Sequence, residues 1–157
     1  MSNRAELIAR FKEGPEVVEK AVAGLSDADL DRRPAPSEWT AREVVHHLAD
    51  AELRSTVRLR QLLAEDAPTI QGYDEEQYAR TLHYDRRSIE VSLAAIRAAR
   101  ASTAELLDLL TDADFARTGT HTESGPYSVD TWLELYAAHC HDHARQIIEA
   151  AAVSPTR

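Results

Sequence analysis

Trp39-Thr40-Ala41-Arg42-Glu43-Val44-Val45-His46-His47-Leu48-Ala49-Asp50 opens the segment whose reading decides the fold. Thr40 and Glu43 have the spacing of a capping box, in which each side chain satisfies a backbone N–H that the first helical turn leaves free. Trp39 before the cap and Val44 after it are placed for a hydrophobic staple. From there Val44, Leu48, Ala51, Ser55, Leu59 and Leu62 recur every three or four residues, which predicts one buried stripe up to about Ala64. His47 lies beside that stripe. At about 100° per residue, His46 points roughly 200° away from Leu48 and is expected to face outward.

Working outward, three more long helices emerge. The first is expected from Arg4 to Gly24, with Leu7, Ile8, Phe11, Val17, Val18, Ala21 and Val22 at helical spacing and Pro15 positioned to kink or restart it. Asp27 to Leu30 reads as a short turn. After a loop around Pro68 to Gly72, a short piece from Asp74 to Thr81 precedes a third long helix over Asp85 to Leu110. A second loop, Thr111 to Pro126, leads to Ser128, a good N-cap for a last helix reaching Ala151. Strand-like alternation and internal repeats are absent. The expectation is an all-α chain: a four-helix bundle in one domain over 1–157, in which an up-down order makes the second and fourth long helices parallel.

The last helix carries Leu135-Tyr-Ala-Ala-His-Cys-His-Asp-His-Ala-Arg-Gln-Ile147. His139 and His143 fall on the stripe through Trp132, Tyr136 and Ile147, one turn apart on one face, whereas His141 points elsewhere. The inward set is therefore His47, His139 and His143. Three neutral nitrogen donors leave a divalent cation its full charge and a free position, the donor set of an open zinc or nickel site. A lone inward histidine is more often a hydrogen-bonded core residue, but burying two imidazoles one turn apart without a shared ligand costs desolvation.

Several neighbours have candidate catalytic roles beside plainer ones. Asp50 or Glu43 is spaced to orient His47, although Glu43 already has its capping role. Arg54 and Arg58 continue that flank and are candidates for holding an anionic substrate. Tyr136 either donates to a bound ligand or fills core. Cys140 reads as a small buried hydrophobe rather than a catalytic thiol, and His121 sits in a glycine-containing loop over the site.

Composition narrows the partners. Lys and Arg number 18 against 27 acidic residues, a formal charge of −9 that disfavours nucleic acid and anionic membranes. With 43% hydrophobic and 29% charged residues, the chain reads as an ordinary globular domain. The single cysteine excludes an internal disulfide framework. With no signal-peptide pattern and no membrane-length apolar run, a cytoplasmic location is expected.

The Trp39 to Asp50 stretch, Arg58-Leu-Arg-Gln-Leu-Leu-Ala-Glu-Asp-Ala-Pro-Thr-Ile70 followed by Tyr73-Asp-Glu75, and the Leu135 to Ile147 stretch together resemble the DinB/YfiT-like superfamily, over about Leu7 to Ala150. The family's three metal ligands fall on His47, His139 and His143. What the resemblance implies is a dimeric four-helix bundle with zinc or nickel, a metal-dependent hydrolase or an S-transferase for a bacterial thiol such as bacillithiol or mycothiol. Ala138 replaces a frequent tryptophan, and Ala144 and Gln146 stand where close relatives often have histidine; these departures spare the ligands and leave the thiol open. Small-molecule partners are therefore a thiol and an electrophile. Hydrolysis by water activated at the same metal is the alternative, and a non-enzymatic metal-binding stress-response bundle is the other.

Overall fold

A computed structural model describes residues 4–152; the first three and last five positions of the expected 1–157 domain lie outside the described range. Four long helices form the frame: α1 (Arg4–Val22), α3 (Ala41–Ala64), α5 (Ile89–Leu107) and α7 (Val129–Ala152). Between them come α2 (Asp27–Leu30), β1 (Thr69–Ile70), α4 (Glu75–Thr81), α6 (Asp112–Phe115), β2 (Thr118–His121) and β3 (Gly125–Ser128). The capping box at Thr40 and Glu43 is present, and Trp39 packs on the cluster that contains Val44. The Ser128 hydroxyl accepts the Thr131 N–H at 3.0 Å, as an N-cap does.

Around the bundle α1 lies between α7 and α5, and α3 completes the ring on their other side. Helix directions follow from which residues meet. His46 bonds Ser92 and Glu52 bonds Arg100, so α3 and α5 run parallel. His47 stacks near His143, Glu52 reaches His139 and Trp132 bonds the Ser55 carbonyl, so α3 and α7 run antiparallel. The expected up-down order, with the second and fourth long helices parallel, is corrected. The crossover through β1 and α4 returns the chain to the same end of the bundle before α5 starts.

Two further expectations change. Within the Pro68–Gly72 and Thr111–Pro126 loops lies a three-stranded sheet, β1 parallel to β2 and β2 antiparallel to β3. Its strands are only two to four residues long, too short for alternation to show. Gly119 is required there because a Cβ would stand 2.5 Å from the Pro68 carbonyl oxygen. The third long helix starts at Ile89 and ends at Leu107, shorter than Asp85 to Leu110.

Pro15 sits inside a continuous α1. Proline removes the hydrogen bond to the carbonyl four residues earlier, here Phe11, and the Arg100 Nη1 donates to that carbonyl at 2.7 Å instead. Arg100 also forms a two-pronged pair with Glu52 at 2.7 and 2.8 Å and donates to the Tyr136 carbonyl at 2.8 Å. One guanidinium on α5 thus ties α1, α3 and α7 together. Gly14 allows the approach, since a Cβ there would lie 2.8 Å from Arg100 Nη1 and 2.9 Å from Cys140 Cβ. The charged layer separates two apolar clusters, one around Val18, Leu48, Ile96 and Ile147 and the other around Phe11, Leu59, Leu107 and Trp132.

Arg100 and Glu52 are each 1% exposed. Burial alone pushes a carboxyl pKa up, but the Arg100 charge and the His139 and Arg100 hydrogen bonds hold Glu52 well below the usual carboxylate range. Because the folded value is the lower one, this group's contribution is complete above the unfolded pKa near 4.5 and is lost as pH falls toward about 2. Glu52→Gln leaves the Arg100 charge buried and uncompensated, an expected loss of about 3–5 kcal/mol. Urea unfolding at pH 7 measures that loss, and the gap between variant and parent should narrow as the pH is lowered through that window.

Candidate metal centre

His47, in the second turn of α3, and His139 and His143, one turn apart on α7, converge across the α3–α7 contact. One ring nitrogen from each lies within 4.8 Å of the other two. Ring centroids stand 4.8 Å apart for His47 and His143, 5.6 Å for His47 and His139, and 4.6 Å for His139 and His143. A tetrahedral zinc with bonds of about 2.0–2.1 Å places its nitrogens roughly 3.3 Å apart, a change that ring rotations supply. His47 is 2% exposed and the other two rings are half-buried, so the triad has a closed back and an open front.

The neighbours fix how the rings present themselves. Gln146 Oε1 lies 2.7 Å from His143 Nδ1; an amide oxygen only accepts, so Nδ1 carries the proton and Nε2 keeps its lone pair for a ligand. Glu52 Oε1 stands 3.5 Å from His139 Nδ1, the outer limit of a hydrogen bond, and does the same there. Burial, with the His143 and His139 rings beside it, pulls the pKa of His47 down to about 3. Burial and His139 also lower that of His143. Such imidazoles are neutral at pH 7, the form that binds metal. His47 Nδ1 is buried without a hydrogen-bond partner. A buried orphan nitrogen within a convergent histidine triad fits a divalent cation.

The remaining candidates divide. Arg58 and Tyr136 come together: Arg58 Nη1 donates to the Tyr136 hydroxyl at 3.0 Å, and the Tyr136 ring lies 5.5 Å from that of His139. Asp50 does not orient His47; its carboxylate accepts the Tyr84 hydroxyl at 2.5 Å and lies 3.9 Å from Arg87. Glu43 is used by the cap and by Arg33. His46 is corrected from outward to fully buried, bonding Ser92 Oγ at 2.8 Å and the Arg87 carbonyl at 3.0 Å. The reading of α3 as one-sided fails because its first turns are covered all round, from Ala41 through Ala49. Cys140 is buried against Glu52, and burial pushes its thiol pKa up, so it is no nucleophile. His121 accepts the Glu123 N–H in the β2–β3 turn and stays outside the triad.

Three residues beside the triad had no role assigned from the sequence. Gln146, three residues after His143, had a findable signal in that spacing. Glu52 had none, because its meaning depends on Arg100, 48 positions away. Glu75 comes from the crossover: it lines a groove of about 470 Å³ with His143, Gln146, Trp39 and Glu76. Of the triad, His143 lines this groove.

A four-helix bundle that brings three histidines of two helices together has the form of a metal-site protein of the bundle class, and the comparisons make this specific. A sequence profile of the DinB superfamily matches residues 10–147, and the chain belongs to that superfamily, in its YfiT-like branch. A relative from Oceanobacillus iheyensis is 34% identical over 142 residues, covering 90% of this chain and 82% of its own. YfiT of Bacillus subtilis is 32% identical over 140 residues, covering 88% and 79% respectively. Both names class these relatives, by inference, as metal-dependent hydrolases. The solved structure of YfiT superposes with a TM-score of 0.89 at 30% identity, over 96% of this chain and 88% of that one, and is described as having an unusual four-helix bundle topology.

If Gln146 sets the proton position on His143, Gln146→Leu should weaken zinc binding by about 10–100-fold with little change in fold. Competition against a chromophoric chelator reads the affinity, and circular dichroism the fold; unchanged affinity would remove Gln146 from the site.

Proposed function

We propose that this protein is a metal-dependent enzyme that uses a zinc or nickel ion on His47, His139 and His143 to activate a low-molecular-weight thiol, bacillithiol-like, for S-transfer to an electrophile. The observation that carries the reading is the convergence of three imidazoles from two helices, one of them buried with an unpartnered ring nitrogen. When bound, the cation supplies Lewis acidity that lowers the pKa of a thiol or water reaching it.

The chain's own residues do the rest. Gln146 and Glu52 hold His143 and His139 with lone pairs turned inward. The buried His47 ring packs edge-on against Trp39, whose ring lies 5.0 Å away. Burial raises the Tyr136 pKa despite the Arg58 charge beside it, so the phenol stays protonated and acts as a hydrogen-bond donor, polarised by Arg58. That donor suits an oxygen of the bound substrate. With a cation bound, the thiol would lose its proton to solvent, and its sulfur would bond the electrophile's carbon as the leaving group departs from that carbon.

Hydrolysis is the second reading, favoured by Glu75. Burial pushes its carboxyl pKa up, and it lines the groove beside His143, where a base for water is wanted. The names of the relatives point the same way.

Zinc- or nickel-loaded protein incubated with bacillithiol or mycothiol and monochlorobimane should give fluorescent conjugate, and His143→Ala should abolish it. Absence of turnover with every such thiol, together with cleavage of an ester or amide panel in thiol-free buffer, would replace transfer by hydrolysis.

A further inference from the structure

Among the described residues three arginines are buried, Arg42 and Arg58 at 8% exposure and Arg100 at 1%. Arg100 faces Glu52, and Arg42 faces Asp27 and Asp31. Arg58 has no carboxylate. It donates to two neutral oxygens, the Tyr136 hydroxyl at 3.0 Å and the Gln71 carbonyl at 2.8 Å. A desolvated guanidinium with neutral partners only is costly, and a counter-charge from outside the chain removes the cost.

Other hydrogen-bond donors gather around it. The Tyr127 hydroxyl, in a side chain 4% exposed, has no partner and lies within electrostatic reach of Tyr136 and Arg58. The Tyr136 hydroxyl accepts from Arg58 and keeps its own proton free to donate. The guanidinium and the Tyr136 hydroxyl are in contact, the unpartnered Tyr127 hydroxyl is in their electrostatic neighbourhood, and no carboxylate bonds any of the three, the complement of an anion. Arg58 itself lines a cavity of about 370 Å³ with Arg54, Gln61 and Gln71, and the Tyr136 ring lies 5.5 Å from that of His139, so the cluster adjoins the triad.

We propose that Arg58, Tyr136 and Tyr127 form a recognition site for a single carboxylate of the substrate, about one helical turn from the atom that reacts at the triad. The inference rests on the metal-centre reading and specifies the substrate class: a short acid whose carboxylate stands a few bonds from its thiol or scissile group. Local charge selects a monoanion. Glu75 and Glu123 share the neighbourhood of Arg58 and Arg54, so a dianion such as phosphate meets two carboxylates as well as two guanidiniums.

Calorimetry on the zinc-loaded chain with 3-mercaptopropionate and with its methyl ester separates the possibilities. The acid should bind about tenfold tighter or more, as charge-assisted hydrogen bonds give. Tyr127→Phe and Arg58→Gln should each shrink that preference several-fold with zinc affinity unchanged. Tyr127→Phe should melt at the same temperature or higher, because it removes a buried hydroxyl that has no partner. Equal binding of acid and ester, full preference retained in Tyr127→Phe, or phosphate competing better than propionate would overturn the proposal. Should the protein bind no zinc, propionate binding to the metal-free chain decides: dependence on Arg58 and Tyr127 keeps the carboxylate site while the metal reading fails, and no binding ends the proposal.

Discussion

One guanidinium holds the frame together. Arg100 projects from α5 into the centre of the bundle, where it pairs with Glu52 of α3 and satisfies carbonyls of α1 and α7. Its partner on α1 is the carbonyl that Pro15 would otherwise orphan, so a proline in mid-helix is compensated by a charge from a neighbouring helix. The layer is polar and fully buried between two apolar clusters. Such a layer tolerates few alternatives, because any slip of one helix leaves a charge or a carbonyl unmet.

The same layer reaches the metal centre. Glu52 touches Arg100 on one side and His139 on the other, so the position of a ligand ring is tied to the register of the bundle. The antiparallel contact of α3 and α7 brings His47 level with His143 and Glu52 level with His139. The crossover between α3 and α5 then supplies the front wall: Glu75 and Glu76 at the start of α4 line the groove with Trp39 and His143. Rigid helices position the donors, and the connecting segments shape what can reach them.

Much of this was legible in the residues. The capping box at Thr40 set the phase of α3, and that phase singled out His47; the spacing of His139 and His143 did the same on α7. What periodicity lacks is direction and partner. It counts faces of single helices, so it was silent on α3 and α7 running antiparallel, and it turned His46 outward because it assumed one covered face where three elements cover that turn. The strands of the small sheet are shorter than any alternation. Glu52 and Arg100 each resemble ordinary charged helix residues until the fold brings them together, and Gln146 resembles a lost histidine until its amide oxygen is seen on His143.

X-ray absorption at the zinc edge of the reconstituted chain, compared with His47→Ala, tests the convergence of imidazoles from two helices most directly. The account predicts three imidazole nitrogens at about 2.0–2.1 Å in the parent and two in the variant. A shell with fewer histidines in the parent, or one that His47→Ala leaves unchanged, would contradict it.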